Sequence, residues 1–162
     1  MKYAPFRFLV PCRSRLVREG ADGRLQKYQC SFANVISAAN GSAAALVNIL
    51  ARDFPSFRDE FPFQGRRKPV RFLKRAQILV ADLWACFQGE GSGAFKDIDK
   101  ITMFADYRLP QILSSLGCIY YSPKLDMAVR QQKILESGGN WEMQLRGTVP
   151  PPPPPSPKEP RR

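Results

Sequence analysis

Residues 70–91 read VRFLKRAQILVADLWACFQGEG, and their spacing decides the class of fold. Phe72, Leu73, Ala76, Leu79, Val80, Leu83, Trp84 and Phe87 recur at three- and four-residue steps, which lays one broad apolar stripe along an α-helix. Lys74, Arg75, Gln77 and Asp82 fall off that stripe or at its edge. The run closes in Gly89, Gly91 and Gly93, where left-handed backbone costs little.

The pattern upstream is of the same kind. Residues 31–54, SFANVISAANGSAAALVNILARDF, space Phe32, Val35, Ile36, Ala39, Ala43, Leu46, Val47 and Leu50 helically, which predicts one amphipathic helix weakened at Gly41 and stopped by Pro55. Residues 54–69, FPSFRDEFPFQGRRKP, form a connection rich in proline, aromatics and charge. Downstream, 93–123 mix short apolar steps with a helix over about 108–116, closed by Gly117. A last helical pattern over 125–137, LDMAVRQQKILES, ends in Gly138-Gly139, and WEMQLRG at 141–147 suits a short strand. The fold class is mainly α. The helical domain spans 31–147, between a basic, poorly ordered arm at 1–30 and a tail at 148–162. The six consecutive prolines of that tail predict extended polyproline II outside any core.

Charge and missing residues narrow the chemistry. The formal charge is +11, a value that suggests an anionic partner. Its distribution says more. Residues 28–147 hold fifteen Lys/Arg against eleven acids, so most of the excess belongs to the two ends. That balance suits a small phosphorylated substrate better than a duplex-binding face. The chain has no histidine, which removes Ser/His/Asp and Cys/His catalysis and leaves carboxylates and lysines as the available catalysts. Cys12, Cys30, Cys86 and Cys118 match no zinc spacing and lie among apolar neighbours, which predicts buried free thiols in a cytosolic protein. Pro5, Arg7 and Pro11 interrupt the short apolar start, against a secretory signal, although its arginines and scarce acids are also compatible with a mitochondrial presequence.

Four features are candidates for chemistry. Asp106, within ITMFADYRLPQIL at 101–113, reads either as the cap of the helix that follows or as a carboxylate walled by Phe104 and Tyr107. Lys74 and Arg75 read either as side chains reaching to solvent or as a phosphate anchor at a pocket edge. GEGSG at 89–93 follows a helix and lacks the Lys-Ser/Thr of a phosphate loop, so it reads as a helix terminator. The tail contains P-x-x-P by repetition alone, a weak signal for SH3- or WW-type recognition.

The wording of the centre is more specific than its pattern. FPSFRDE, then VRFLKRAQILVADLWACFQGEGSGAFKDIDKITMFADYRLPQILSSLGCIYYSP, resembles the queuosine salvage family of queuosine 5′-phosphate N-glycosylase/hydrolase proteins, and the vertebrate members in particular. The resemblance runs from about Ser31 to Gly147 and is near-continuous over 70–123. It implies an all-helical fold related to DNA glycosylases. The implied reaction cleaves the N-glycosidic bond of queuosine 5′-monophosphate and releases queuine for reuse in transfer RNA. The catalytic aspartate of the family's F-A-D-Y-R motif falls on Asp106, and the phenylalanine lining the queuine pocket falls on Phe104. The lysine of K-R-A-Q, which reaches the 5′-phosphate, falls on Lys74.

The implied partner is that small nucleotide, with no cofactor, metal, direct tRNA contact or membrane, in the cytoplasm. The family's N-terminal histidine and its C-terminal aspartates and aspartate–tyrosine pair have no counterpart here, and the pattern ends at Gly147. A truncated or alternatively spliced member is therefore expected. Two further readings stand beside the enzyme: an inactive product acting through its basic arms or proline tail, and a basic RNA-binding module, against which the near-balanced centre argues.

Overall fold

A computed structural model of the chain describes residues 24–148, apart from Arg66 and Tyr107. The proline tail, Cys12 and the first 23 residues lie outside the described residues. Among the described residues six α-helices follow in order: α1 Phe32–Ala38, α2 Ala43–Asp53, α3 Lys74–Cys86, α4 Arg108–Ser115, α5 Pro123–Arg130 and α6 Asn140–Gly147. Two short strands, β1 Glu60–Phe61 and β2 Val70–Arg71, pair antiparallel in the register Glu60↔Arg71 and Phe61↔Val70. The mainly helical class expected from the periodicity is what the chain adopts. The described residues divide into two compact units, one of residues 24–59 and 75–101, the other of 60–74 and 102–148.

In the first unit, α1 and α2 correct the expectation of one helix over 31–54. Asn40 and Gly41 take left-handed angles (φ 49° and 69°), so the chain turns there. Ser42 then caps α2, its hydroxyl accepting the Ala45 N–H at 3.1 Å. The turn is fastened from a distant segment. Asp97 accepts the Ala43 N–H at 2.6 Å and the Ser42 hydroxyl at 2.8 Å, and the Gly41 carbonyl accepts the Lys96 N–H at 2.9 Å. Val35, Leu46, Leu50, Phe54 and Val80 are among the fully buried side chains. A 3-10 turn over Arg24–Tyr28 adds Tyr28, buried and bonded through its hydroxyl to Asp53.

The close of α3 follows the glycine signal. Gln88 and Gly89 are left-handed (φ 55° and 77°), and the Gly89 N–H donates back to the Trp84 carbonyl at 2.9 Å. Gly93 is a close-approach glycine, since a Cβ there would lie 2.7 Å from Phe87 Cβ and 2.8 Å from the Leu83 carbonyl oxygen. The expected stripe is only partly covered: Ala76, Leu79 and Val80 are buried, whereas Trp84 and Phe87 are exposed. Cys30, Cys86 and Cys118 are exposed as well, which corrects the reading of buried thiols. Each sits at or beyond the end of a helix or helical turn, where apolar neighbours in sequence do not become neighbours in space.

In the second unit, α4 occupies the expected range and closes at left-handed Gly117, with the Cys118 N–H on the Leu113 carbonyl at 2.8 Å. Pro110 is tolerated in its first turn, where backbone N–H groups have no partner within the helix. The pattern over 125–137 is helical only as far as Arg130, and left-handed Gln132 (φ 53°) diverts the chain. Residues 141–147 belong to α6, not to a strand. Glu142 and Arg146 form an (i, i+4) ion pair along it at 3.1 Å, a contact that exists only in the helix.

Candidate active site

The second unit brings Lys74 and Asp106 together. Lys74 opens α3, directly after β2 and Leu73. Leu73 is buried and held at φ 51°, a conformation costing a leucine about 1–2 kcal/mol. A buried side chain locked in that geometry aims the next residue in one direction. Lys74 Nζ donates to Asp106 Oδ2 at 3.0 Å, with the two side chains 28% and 25% exposed.

Asp106 lies at the end of a stretch, 101–106, without regular secondary structure, two residues before the first residue of α4. Its second oxygen, Oδ1, accepts the backbone N–H of Arg108, the first residue of α4, at 2.8 Å. One carboxylate oxygen thus serves the start of α4, as the cap reading expects, and the other pairs with Lys74. Partial burial by itself would raise the Asp106 pKa. The Lys74 hydrogen bond, the Arg108 N–H, the Lys74 charge and the Leu109 N–H outweigh it, and hold the group below the ordinary carboxylate value. The site thus keeps an ionised carboxylate that water reaches only in part.

Phe104 is half-buried two residues before Asp106, while the other expected wall, Tyr107, lies outside the described residues. The GEGSG glycines end α3 and make a 3-10 turn, so they serve the backbone. Among the described residues there is no group of three or more metal-ligating side chains, and no helix is long and apolar enough to cross a membrane. A cleft of about 410 Å³ is lined by residues 133–136 and 139–142, and neither Lys74, Phe104 nor Asp106 lines it.

Arg146 was not anticipated. From α6 it stacks on the Phe72 ring, with its guanidinium carbon 4.1 Å from the centroid, and its Nε donates to the Ala105 carbonyl at 3.1 Å. Its side chain is only 11% exposed. A partly desolvated stack of this kind contributes about 0.5–2 kcal/mol. The one signal available in the sequence was the (i, i+4) spacing of Glu142 and Arg146.

The model of the queuosine salvage protein family matches residues 8–149. The chain belongs to the queuosine salvage protein family. Its relatives include a mouse (Mus musculus) protein named queuosine 5′-phosphate N-glycosylase/hydrolase, 44% identical over 139 residues, which are 86% of this chain and 40% of that protein. Proteins of the same name from Schizosaccharomyces pombe and Sphaerobacter thermophilus are 42% and 41% identical, over 86% and 87% of this chain and 40% and 43% of theirs. The chain thus spans about two-fifths of the length of the relatives it matches. The match begins at residue 8, ahead of Ser31, where the wording alone placed the start of the likeness. Lys74, Phe104, Asp106 and Arg146 all fall within the part of the chain that defines its membership.

Proposed function

We propose that this chain carries the carboxylate side of a site that hydrolyses the N-glycosidic bond of queuosine 5′-monophosphate and releases queuine. Membership of the family supports the substrate class, since the relatives are named for action on queuosine 5′-phosphate. The single observation that carries the chemistry is Asp106, held ionised against Lys74 at 3.0 Å in a partly covered position.

Departure of the base leaves positive character at the ribose C1′ and its ring oxygen. A fixed carboxylate beside that centre stabilises the developing cation and orients water toward C1′. A carboxylate kept below its ordinary pKa is a poor proton donor at neutral pH. Asp106 therefore serves as the anionic stabiliser and not as the acid that protonates the leaving base. Phe104, two residues away, offers a face for a flat deazaguanine. Lys74 keeps Asp106 ionised, and the same ammonium is the proposed contact for the 5′-phosphate, so that binding energy far from the bond is spent on orientation. The tail and basic arms have no part in this reading.

The test is queuine release from queuosine 5′-monophosphate by the purified chain, followed by mass spectrometry. Release by the wild type and its loss in Asp106→Asn support the proposal. A folded wild-type chain that releases none overturns catalysis by these residues in this chain, and favours the non-catalytic reading.

A further inference from the structure

We infer that Arg146 is a positioning residue for the Lys74–Asp106 pair, holding the two chain segments that carry it with one guanidinium. The pair joins residues thirty-two apart, on two separate segments of the chain. Arg146 touches both segments one or two residues from the pair. Its guanidinium carbon lies over the Phe72 ring, two residues before Lys74, and its Nε donates to the carbonyl of Ala105, one residue before Asp106. Ala105 is buried, as is Leu73 between Phe72 and Lys74, so these anchor points have little freedom of their own.

The guanidinium is in turn fixed. Nη1 donates to Glu142 Oε1 at 3.1 Å, and Glu142 Oε2 accepts the N–H of Gly138 at 2.9 Å. Gly138 is left-handed, at φ 77°, beneath the Phe61 ring. A chain of contacts thus runs from the turn at Gly138 through Glu142 and Arg146 to Phe72 and Ala105. Stacking and donating at once requires a planar fork with donors in its own plane, which arginine has and lysine lacks. The left-handed angle at Leu73 needs such outside support, because a strained residue persists only where its surroundings over-determine it. The inference rests on the reading of Asp106 as the reactive carboxylate only for its consequence in catalysis; the geometry stands without it.

The experiment titrates the Asp106 side-chain carboxyl by carbon-13 NMR in the full chain, as wild type, Lys74→Met and Arg146→Lys, with helix content followed by circular dichroism. Arg146→Lys keeps the positive charge, so a purely electrostatic effect leaves Asp106 unmoved. If the guanidinium positions the pair, the Asp106 pKa rises in folded Arg146→Lys toward its value in Lys74→Met. A folded Arg146→Lys protein in which Asp106 titrates as in the wild type overturns the inference. Should Arg146→Lys lose its helix signal, Glu142→Gln decides. That change makes the site more positive, which alone would lower the Asp106 pKa, so a rise supports positioning and a fall or no change overturns it. No substrate enters either measurement, so failure here is distinct from failure to release queuine.

Discussion

Lys74 and Asp106 hold each other at 3.0 Å across thirty-two residues of chain, and the second oxygen of the same carboxylate starts helix α4 through the Arg108 N–H. One side chain therefore does two jobs that substitution can separate. Asparagine is as good as aspartate at a helix start, whereas alanine costs about 1 kcal/mol there. The ion pair itself is partly exposed on both sides and contributes under about 1 kcal/mol. Asp106→Ala is expected to lower stability by about 1–2 kcal/mol and Asp106→Asn by less than about 1 kcal/mol in urea unfolding. Under the proposed function both lower queuine release by about 100-fold or more. Equal loss of stability in the two variants would show that Asp106 does not cap α4.

Glycines divide by what surrounds them. Gly138 is at φ 77°, and a Cβ there would lie 2.5 Å from Phe61 Cδ1, so both backbone and space oppose a side chain. Gly93 has space against it alone, with Leu83 backbone at 2.8 Å. Gly147 is the last residue of α6 and meets nothing within 4 Å. Thermal unfolding should rank the three alanine variants accordingly. Gly138→Ala and Gly93→Ala each lose more than about 1 kcal/mol, while Gly147→Ala gains up to about 1 kcal/mol from helix propensity. A stable Gly138→Ala protein would contradict the close approach of Phe61.

What could be read in advance follows from how local each decision is. Residues 76–86 are helical because the spacing of Ala76, Leu79 and Val80 lies within one helix, and that spacing is visible in the sequence. The break between α1 and α2 was hidden because Ala39 and Ala43, both buried, keep helical spacing across it. The break depends on Asp97, more than fifty residues away. Over 141–147, Trp141, Met143 and Leu145 alternate as a strand would, and the helix is decided by the Glu142–Arg146 pair and by Arg146 on Phe72. The same limit applies to the site. The resemblance pointed to Asp106 and Lys74 separately, but no pattern announces that they meet, and Arg146 has no motif of its own.

The clasp at Asp97 yields a third expectation. Its two oxygens take the Ala43 N–H and the Ser42 hydroxyl, and the three groups are partly buried. Asp97→Ala leaves both donors without that acceptor and removes support from the N-terminus of α2, at a cost of about 1–3 kcal/mol. Asp97→Asn keeps an acceptor oxygen and should recover part of the loss. Urea midpoints of the two variants check this, and no difference between them would mean that the carboxylate is not the fastening.

Acid should destabilise the fold in a defined window. Asp53 is held far below the ordinary carboxylate range, first by the Arg52 hydrogen bond, against the opposing effect of burial, and further by Tyr28 and Lys27. Burial works against Asp97 and Asp106 too, but their hydrogen bonds outweigh it and leave both lowered. A folded pKa below the unfolded one gives stability that is complete above the unfolded value, near 4, and lost as pH falls through the folded value. Asp82 runs the other way, because burial raises its pKa and it therefore opposes folding at neutral pH. That penalty is relieved as pH falls through its folded value toward the unfolded one. The expected Tm is steady or slightly rising as pH falls from 7 toward the unfolded carboxylate value, then falls below about 4. Asp53→Asn should flatten the acid limb, since it removes the most depressed group. Asp82→Asn should raise Tm at pH 7 and abolish any rise on acidification, because the neutral amide removes the partly buried charge that carries the penalty. A Tm for Asp82→Asn at or below wild type at pH 7 would show that Asp82 is stabilised where it lies.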